Sequence, residues 1–212
     1  MADELVFYTN PQSRARVVRW MLEEVGQPYR TEVLQYGTTM KAPEYLAINP
    51  MGKVPAIRHG NTVVTEGAAI CAYLADAFPQ AQLAPPPGSP LRGPYYRWLF
   101  FAAAPMESAI TNRALGFEVP PERKAMAGYG SYDDVMNALE TAVGHGGYVA
   151  GDRFTAADLY LGAYIAFALQ FGTIEKRPAF ERYAKLVTER PANARANEID
   201  NASMAAASPK AG

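Results

Sequence analysis

The sequence contains one cysteine and two histidines among its 212 residues. A lone Cys71 excludes an internal disulfide and a CxxC redox pair. His59 and His145 alone do not provide the ligands of a structural zinc site. We therefore expect a protein without a metal, in which Cys71 is a small buried hydrophobic residue within a helix.

Strong net charge and long apolar runs are also missing. The formal net charge of -1 argues against nucleic acid or an anionic membrane as the main partner. The longest nearly apolar stretch, Trp98 to Met106, is too short to span a bilayer. The segment Met1 to Asn10 has no basic region followed by an apolar run. These features predict a cytoplasmic protein with neither nucleic acid nor membrane as a partner.

The first thirty-four residues have the pattern of two strands around a helix. Leu5 to Thr9 is an apolar run of strand length, and Tyr29 to Leu34 is a second one. Between them, Asn10 is a favoured N-cap and Pro11 is favoured at the first helical position, so we expect the helix to begin there. The pattern predicts a parallel strand pair with a right-handed crossover.

The next segment contains Val54-Pro55 and, eleven residues after Pro55, Glu66-Gly67. A proline that opens an apolar run must lie at a strand start or edge, which leaves neighbouring backbone groups free to pair with an extended peptide. A strand to Arg58, a turn, a second strand and a helix beginning near Gly67 complete a βαβ-ββα order. Because a helix N-terminus favours a carboxylate, the two features together predict a site for a small acidic peptide.

The second half of the chain has a helical pattern throughout. We expect helices roughly over Leu91 to Leu115, Glu122 to Val143, Thr155 to Phe171 and Pro178 to Glu189. Thr155 and Asp158 have the spacing of a capping box at the start of one of these helices. Pro105 should interrupt the first helix, and the Ala-, Asn- and Ser-rich end of the chain is expected to be a mobile tail. We predict an α/β domain over residues 1–78, a proline-rich linker over 79–94, an all-α domain over 95–191 and a C-terminal tail over 192–212.

Five motifs in this order resemble the cytosolic glutathione transferases, in particular bacterial members with a Ser or Asn in the active site. The motifs are YTNPQSRARVVRWMLEE, NPMGKVPAI, TEGAAICAYLAD, the proline-rich linker and FTAADLYLGAYI. The resemblance covers nearly the whole chain. It implies a thioredoxin-like α/β N-terminal domain that binds glutathione as co-substrate, an all-α C-terminal domain with an apolar pocket, a cis peptide at Val54-Pro55 and a homodimer.

The resemblance also assigns residues to glutathione. The backbone of Val54 would pair with the cysteinyl part, and Pro55 would keep that edge open. Glu66 and the N–H of Gly67 would bind the γ-glutamyl amine and carboxylate, although the family commonly has Ser where this chain has Gly67. A lost hydroxyl removes one hydrogen bond of about 1 kcal/mol while the backbone donor remains. Two lysines would meet the glycyl carboxylate, unless they are solvated surface charges: Lys41 and Lys53.

Catalysis requires a group that lowers the pKa of the glutathione thiol, since only the thiolate attacks. The family uses a Tyr, Ser or Cys at the end of the first strand or the start of the first helix. Tyr8 lies within the strand and is expected in the core. Ser13 is the favoured catalytic residue and Asn10 the second candidate. The alternative for Asn10 is a helix cap only, and the alternative for Ser13 is a first-turn residue that only solvates the helix end.

We expect a transferase in detoxification that attacks a hydrophobic electrophile, with glutathione peroxidase activity as a possible addition and lyase or isomerase chemistry left open. The alternative is a glutathione-binding or partner-binding module of the same fold with little catalysis. The predicted pocket residues lie on or after the first long helix of the all-α domain: Phe101, Met106, Ile110 and Phe117.

Overall fold

A computed structural model describes residues 3–207 of the chain. Contacts between residues divide the chain into two compact units. Among the described residues, the first comprises residues 3–82 together with 190–207, and the second comprises residues 83–189.

The first unit contains a four-stranded mixed sheet with the strand order β2-β1-β3-β4. β1 is parallel to β2 and antiparallel to β3, and β3 is antiparallel to β4. This is the predicted βαβ-ββα arrangement. Its elements are β1 Leu5–Thr9, α1 Ala15–Val25, β2 Arg30–Val33, α2 Pro43–Leu46, β3 Ala56–His59, β4 Thr62–Thr65, α3 Gly67–Ala77 and α9 Pro191–Ala207.

Both faces of β1 are buried, as the apolar run predicted. Alternate residues point to opposite faces of a strand. Val6 and Tyr8 pack with Tyr45 of α2 in one hydrophobic cluster. On the other face, Phe7 lies under Arg19 of α1, whose guanidinium carbon is 4.9 Å from the ring centroid. The sheet therefore has α2 on one face and α1 on the other, and the prediction that Tyr8 belongs to the core is confirmed.

The second unit is helical. Its helices are α4 Arg92–Phe101, α5 Glu107–Ala114, α6 Tyr132–Val143, α7 Ala156–Gln170 and α8 Pro178–Thr188. Between α4 and α5, residues Ala102–Met106 form a π-helical segment that contains Pro105. Because proline cannot donate an N–H to the preceding turn, the interruption predicted there has a direct cause.

Two predicted helix starts are wrong. α1 begins at Ala15 rather than at Pro11, because the Asn10 side chain accepts the N–H of Gln12 and forms a local turn instead of a helix cap. The helix predicted from Glu122 begins at Tyr132, preceded by a short 3₁₀ segment.

The mobile tail expected from residue 192 is also a wrong prediction over the described residues. α9 continues to Ala207 and packs against α1, with Ala192, Ala196 and Asp200 buried. Alanine is the best helix former, so the composition that suggested a tail is compatible with a helix once a partner surface exists. The last five residues of the predicted tail, 208–212, lie outside the described part of the chain, as do residues 1 and 2.

Within residues 3–207, no helix combines the length and the apolar character that crossing a bilayer requires.

Candidate functional site

The sheet register brings three predicted site segments of the first unit to the same end of the sheet. β3 begins at Ala56, which is opposite Tyr8 of β1 and Thr65 of β4. Pro55 therefore lies directly before β3, at the end of the sheet where β1 and β4 finish. The turn after β1 and the start of α3 after β4 flank it on its two sides, since neighbouring strands lie about 5 Å apart. The sequence alone could not supply this register.

The peptide bond between Val54 and Pro55 is cis. Val54 is half-buried, and among residues 3–207 its backbone N–H and C=O have no hydrogen-bond partner. The preceding carbonyl, that of Lys53, accepts hydrogen bonds from the Tyr45 hydroxyl at 2.6 Å and from Asn49 Nδ2 at 2.7 Å. These two donors fix the backbone that enters Val54. The Val54 backbone is thus held in place, and its hydrogen-bonding groups are open to an extended ligand.

Tyr45 and Asn49 support this backbone, and the sequence analysis did not identify either of them. Tyr45 packs against Tyr8 with ring centroids 5.6 Å apart, and burial raises the pKa of its hydroxyl to about 12, so it remains a donor at neutral pH. Asn49 is also buried and caps the turn through the N–H of Met51 at 3.1 Å. An Asn before a Pro is a turn signal, which is the one hint that the sequence offers for Asn49.

The two predicted lysines lie on either side of Gly52. Gly52 has a φ of 54°, and a Cβ there would come within 2.8 Å of Lys41 Nζ. Lys41 donates to the carbonyl of Met51 at 3.0 Å, so its ammonium is held beside the segment that leads to Val54. Lys53 is exposed and precedes Val54 directly.

Glu66 and Gly67 mark the start of α3. Glu66 has a φ of 67° and a ψ of 119°, a conformation that a residue with a Cβ rarely adopts. Its side chain is exposed and makes no cap hydrogen bond to the helix. The N–H of Gly67 belongs to the first turn of α3, whose donors have no intrahelical partner. Among the described residues, the Glu66 carboxylate has no hydrogen-bond or ion-pair partner, and it belongs to the residue that precedes the first-turn N–H donors of α3.

The turn between β1 and α1 contains both catalytic candidates. Asn10 is 3% exposed, its Nδ2 donates to the Leu34 carbonyl at 2.7 Å, and its Oδ1 accepts from Gln12 N–H at 2.9 Å. Ser13 is half-buried, and its hydroxyl donates to the Asn10 carbonyl at 2.7 Å while it accepts from the Ala15 N–H at 3.1 Å. Asn10 is therefore committed to the turn, whereas Ser13 presents a hydroxyl at the start of α1.

Of the predicted pocket residues, Phe117 lines a cavity of the second unit. This cavity of about 450 Å³ is also lined by Ala109 and Arg113, among others. Met106 has no exposed surface and so lies in the core rather than at a pocket wall. Phe101 and Ile110 are partly buried.

Cys71 is fully buried in α3, and burial raises the pKa of its thiol well above the ordinary range. A protonated thiol without access to solvent is a poor nucleophile. The prediction that Cys71 is a structural residue is confirmed.

Comparison with known proteins gives one family. Residues 13–77 match the family described as "Glutathione S-transferase, N-terminal domain". The glutathione S-transferase GstA of Escherichia coli O157:H7 is 32% identical over 59% of this chain, which spans 62% of that relative. A glutathione S-transferase-like protein of Aspergillus terreus, gedE, is 31% identical over 66% of this chain and 67% of its own length.

Solved structures agree. A glutathione transferase from Methylococcus capsulatus is 27% identical, with a TM-score of 0.77 over 93% of this chain and 99% of its own. A sphingomonad glutathione S-transferase, solved in complex with glutathione, is also 27% identical, with a TM-score of 0.74 over 92% of this chain and 98% of its own.

Proposed function

The chain belongs to the glutathione S-transferase family, and from this membership we propose that it binds glutathione and activates its thiol for attack on a hydrophobic electrophile. The observation that carries the proposal is the backbone of Val54, whose N–H and C=O have no hydrogen-bond partner among the described residues. An extended tripeptide pairs with such an edge through its own backbone groups.

Each end of glutathione has a matching group at this edge. The γ-glutamyl amine would bind the free Glu66 carboxylate, and its carboxylate would bind the Gly67 N–H at the start of α3, where the helix dipole favours negative charge. The glycyl carboxylate would meet the ammonium groups of Lys41 and Lys53. Because Lys41 is already fixed beside the open edge, it loses little side-chain freedom on binding.

Thiol activation would fall to Ser13. A free thiol has a pKa of about 8.5 and is mostly protonated at neutral pH. A hydroxyl donor and the N-terminus of α1 both favour the thiolate over the thiol. To donate to sulfur, the Ser13 hydroxyl would exchange its present bond to the Asn10 carbonyl for one to the thiolate, while the Ala15 N–H keeps it oriented. Asn10 would shape this turn.

The helical unit would supply the site for the electrophile, with Phe101, Ile110 and Phe117 as apolar contacts. A homodimer, a cytoplasmic location, a role in detoxification and a peroxidase side activity also belong to this proposal. A Pseudomonas aeruginosa relative named maleylacetoacetate isomerase, 28% identical over 82% of this chain, supports thiol-assisted isomerisation as a further chemistry to assay.

One observation favours the alternative, a glutathione-binding module with little catalysis. The only donor on the Ser13 hydroxyl is occupied by the Asn10 carbonyl at 2.7 Å, so activation requires that bond to be given up. Such a module would bind glutathione as tightly as an enzyme and leave its thiol pKa near that of free glutathione.

The test compares the parent protein with Ser13→Ala and Ser13→Thr. We expect Ser13→Ala to lower kcat for a generic aryl halide by about 10- to 100-fold, because a hydrogen bond to a charged group is lost. Its dissociation constant for glutathione, measured by calorimetry, should change only a few-fold. Ser13→Thr keeps the hydroxyl and should retain most of the activity. Turnover of cumene hydroperoxide is measured alongside, and tight binding without turnover in the parent would favour the module.

A further inference from the structure

Arg16 connects the turn that contains Ser13 to the last helix of the chain. Its Nη1 donates to the Pro11 carbonyl within the turn at 3.4 Å. Its Nη2 donates to the side-chain oxygens of Asn197 and Asn201, both at 2.9 Å. Pro11 lies two residues before Ser13, so one guanidinium bridges the turn and α9 across 181 and 185 residues of sequence.

The two asparagines are one helical turn apart on α9 and present their oxygens to the same nitrogen. Asn197 is itself held, since its Nδ2 donates to the Asn193 side chain at 3.2 Å. A long arginine side chain normally loses considerable rotamer freedom when it is fixed. Here α9 fixes the guanidinium in advance, so the Pro11 carbonyl meets a donor that is already in place.

The other arginines between α1 and α9 have carboxylate partners. Arg190 and Glu24 form two hydrogen bonds of 2.6 and 2.8 Å at the far end of α1. Arg195 lies 3.5 Å from Glu23. Arg16 is different because its side chain is bound by neutral amide and carbonyl oxygens.

This difference leaves the charge of Arg16 uncompensated by a direct ion pair. Among the described residues, Asp200 of α9 interacts electrostatically with Arg16, but it forms its ion pair with Arg19 of α1, at 3.2 Å. A net positive charge therefore remains beside the turn. Such a charge favours an anion bound there.

We propose that Arg16 is a positioning residue for the turn of residues 10–13, held by Asn197 and Asn201, so that α9 sets the acidity of a thiol bound at Ser13. This inference rests on the proposed function. It gives α9 a role in the chemistry, although none of its residues is assigned to glutathione.

Arg16 would lower the pKa of a bound thiol through two physical effects. The bond to the Pro11 carbonyl restricts the turn, which holds the Ser13 hydroxyl where a ligand would meet it. The positive charge stabilises a thiolate relative to a thiol. Arg16→Lys keeps the charge but cannot bridge three oxygens with a planar fork, whereas Arg16→Gln removes the charge, so this pair of variants separates the two effects.

The experiment uses the full chain with Asn197→Ala and Asn201→Ala combined. Alanine favours helix, so α9 should persist, and thermal unfolding checks this. The pKa of bound glutathione is measured from the ultraviolet absorbance of its thiolate, and the pH profile of kcat/KM is measured with an aryl halide. We expect the thiol pKa to rise by roughly 0.5 to 1, which is an acid dissociation constant about 3- to 10-fold smaller.

The matched control is Arg195→Gln, which removes a contact between α9 and α1 at the end far from the turn. It should leave the thiol pKa and the pH profile unchanged. A double asparagine variant with the parental thiol pKa, or a control that shifts it equally, overturns the inference. If the double variant unfolds, Arg16→Lys and Arg16→Gln provide the test instead. The inference is overturned if both variants keep the parental thiol pKa. A parent that binds glutathione without lowering its thiol pKa overturns the proposed function together with the inference.

Discussion

Glu66 has a positive φ of 67° at the junction of β4 and α3, a backbone conformation that a residue with a Cβ rarely adopts. Backbone strain of this kind costs of order 1–3 kcal/mol and persists where the surrounding structure or function requires it. Glu66 follows β4, at the same end of the sheet as Pro55 and the turn after β1. The strained residue therefore lies at the proposed glutathione site.

Replacing Glu66 with glycine should therefore separate stability from function. We expect Glu66→Gly to raise the free energy of unfolding by about 1 kcal/mol, because glycine adopts positive φ without a Cβ clash. The same change should weaken glutathione binding by about tenfold, because the partner of the γ-glutamyl amine is lost. Urea denaturation and calorimetry measure the two effects. Glu66→Gln serves as the control, since it removes the charge without relieving the backbone, and a gain in stability there would contradict the explanation.

At the scale of single residues, the sequence predicted what local chemistry determines. Pro55 could only open a strand, and Cys71 lay in a helix pattern among apolar residues, so both were placed correctly. The role of Arg16 could not be predicted, because its partners on α9 lie 181 and 185 residues away. Asn10 was misjudged as a helix cap because its side chain serves equally well in a turn.

Two helices of the second unit begin with the same capping box, but at different depths. Ser131 and Asp134 cap α6 at the surface, with Asp134 exposed. Thr155 and Asp158 cap α7 in the interior, where Asp158 also accepts hydrogen bonds from Val149 N–H at 2.7 Å and from the Tyr183 hydroxyl at 2.8 Å. The buried box therefore joins α7 to α8 and to the preceding loop.

This pair of boxes allows a matched comparison. Asp158→Ala should lower the free energy of unfolding by about 3–5 kcal/mol, since it leaves several buried donors without acceptors. Asp134→Ala should lower it by only about 1 kcal/mol, as expected for an exposed cap. Chemical denaturation of both variants measures the difference. Equal losses of unfolding free energy in the two variants would show that burial does not increase the stabilisation that a capping box provides.

Element boundaries were predicted well where the chain has a single strong signal. β1 matches its prediction of Leu5 to Thr9, and Thr155 immediately precedes α7. The start of α6 was misplaced by ten residues because Ser131 and Asp134 carry the same signal as Thr155 and Asp158 and were not used. α9 was missed because its stability comes from packing on α1, which no local pattern encodes.

The first unit contains a buried ion pair between its two chain segments. Arg19 and Asp200 are 2% and 1% exposed, and Arg19 Nε lies 3.2 Å from Asp200 Oδ1. Arg19 also donates to the Tyr29 hydroxyl at 2.9 Å. Asp200 Oδ2 is buried and has no hydrogen-bond partner among the described residues. Burial raises the pKa of the Asp200 carboxyl above its usual range, and the attraction of Arg19 offsets only part of this effect.

A raised pKa means that the folded state binds the Asp200 proton more tightly than the unfolded state does. The contribution of this group to the free energy of unfolding is therefore complete below a pH of about 4 and is lost as the pH rises through the folded-state pKa. Asp200→Asn, which cannot ionise, should be at least as stable as the parent at neutral pH and should lack this part of the pH dependence. Urea denaturation across this pH range measures it.

The control for Asp200 is Asp133→Asn, because Asp133 is exposed at the start of α6. Its effect should stay within about 0.5 kcal/mol at every pH. A loss of 1 kcal/mol or more in Asp200→Asn at neutral pH would mean that the attraction between Arg19 and the carboxylate exceeds the cost of burying the charge.

The position of α9 also determines the order in which the molecule can be completed during synthesis. A ribosome makes the chain from its N-terminus, so β1 to α3 emerge first and all five helices of the second unit follow before α9 exists. Until then Arg19 lacks its carboxylate and the turn at Ser13 lacks the support of Arg16 by Asn197 and Asn201. The nascent first unit therefore cannot form these contacts until α9 has been translated. A chain released at residue 190 would lack both the carboxylate partner of Arg19 and the asparagine partners of Arg16.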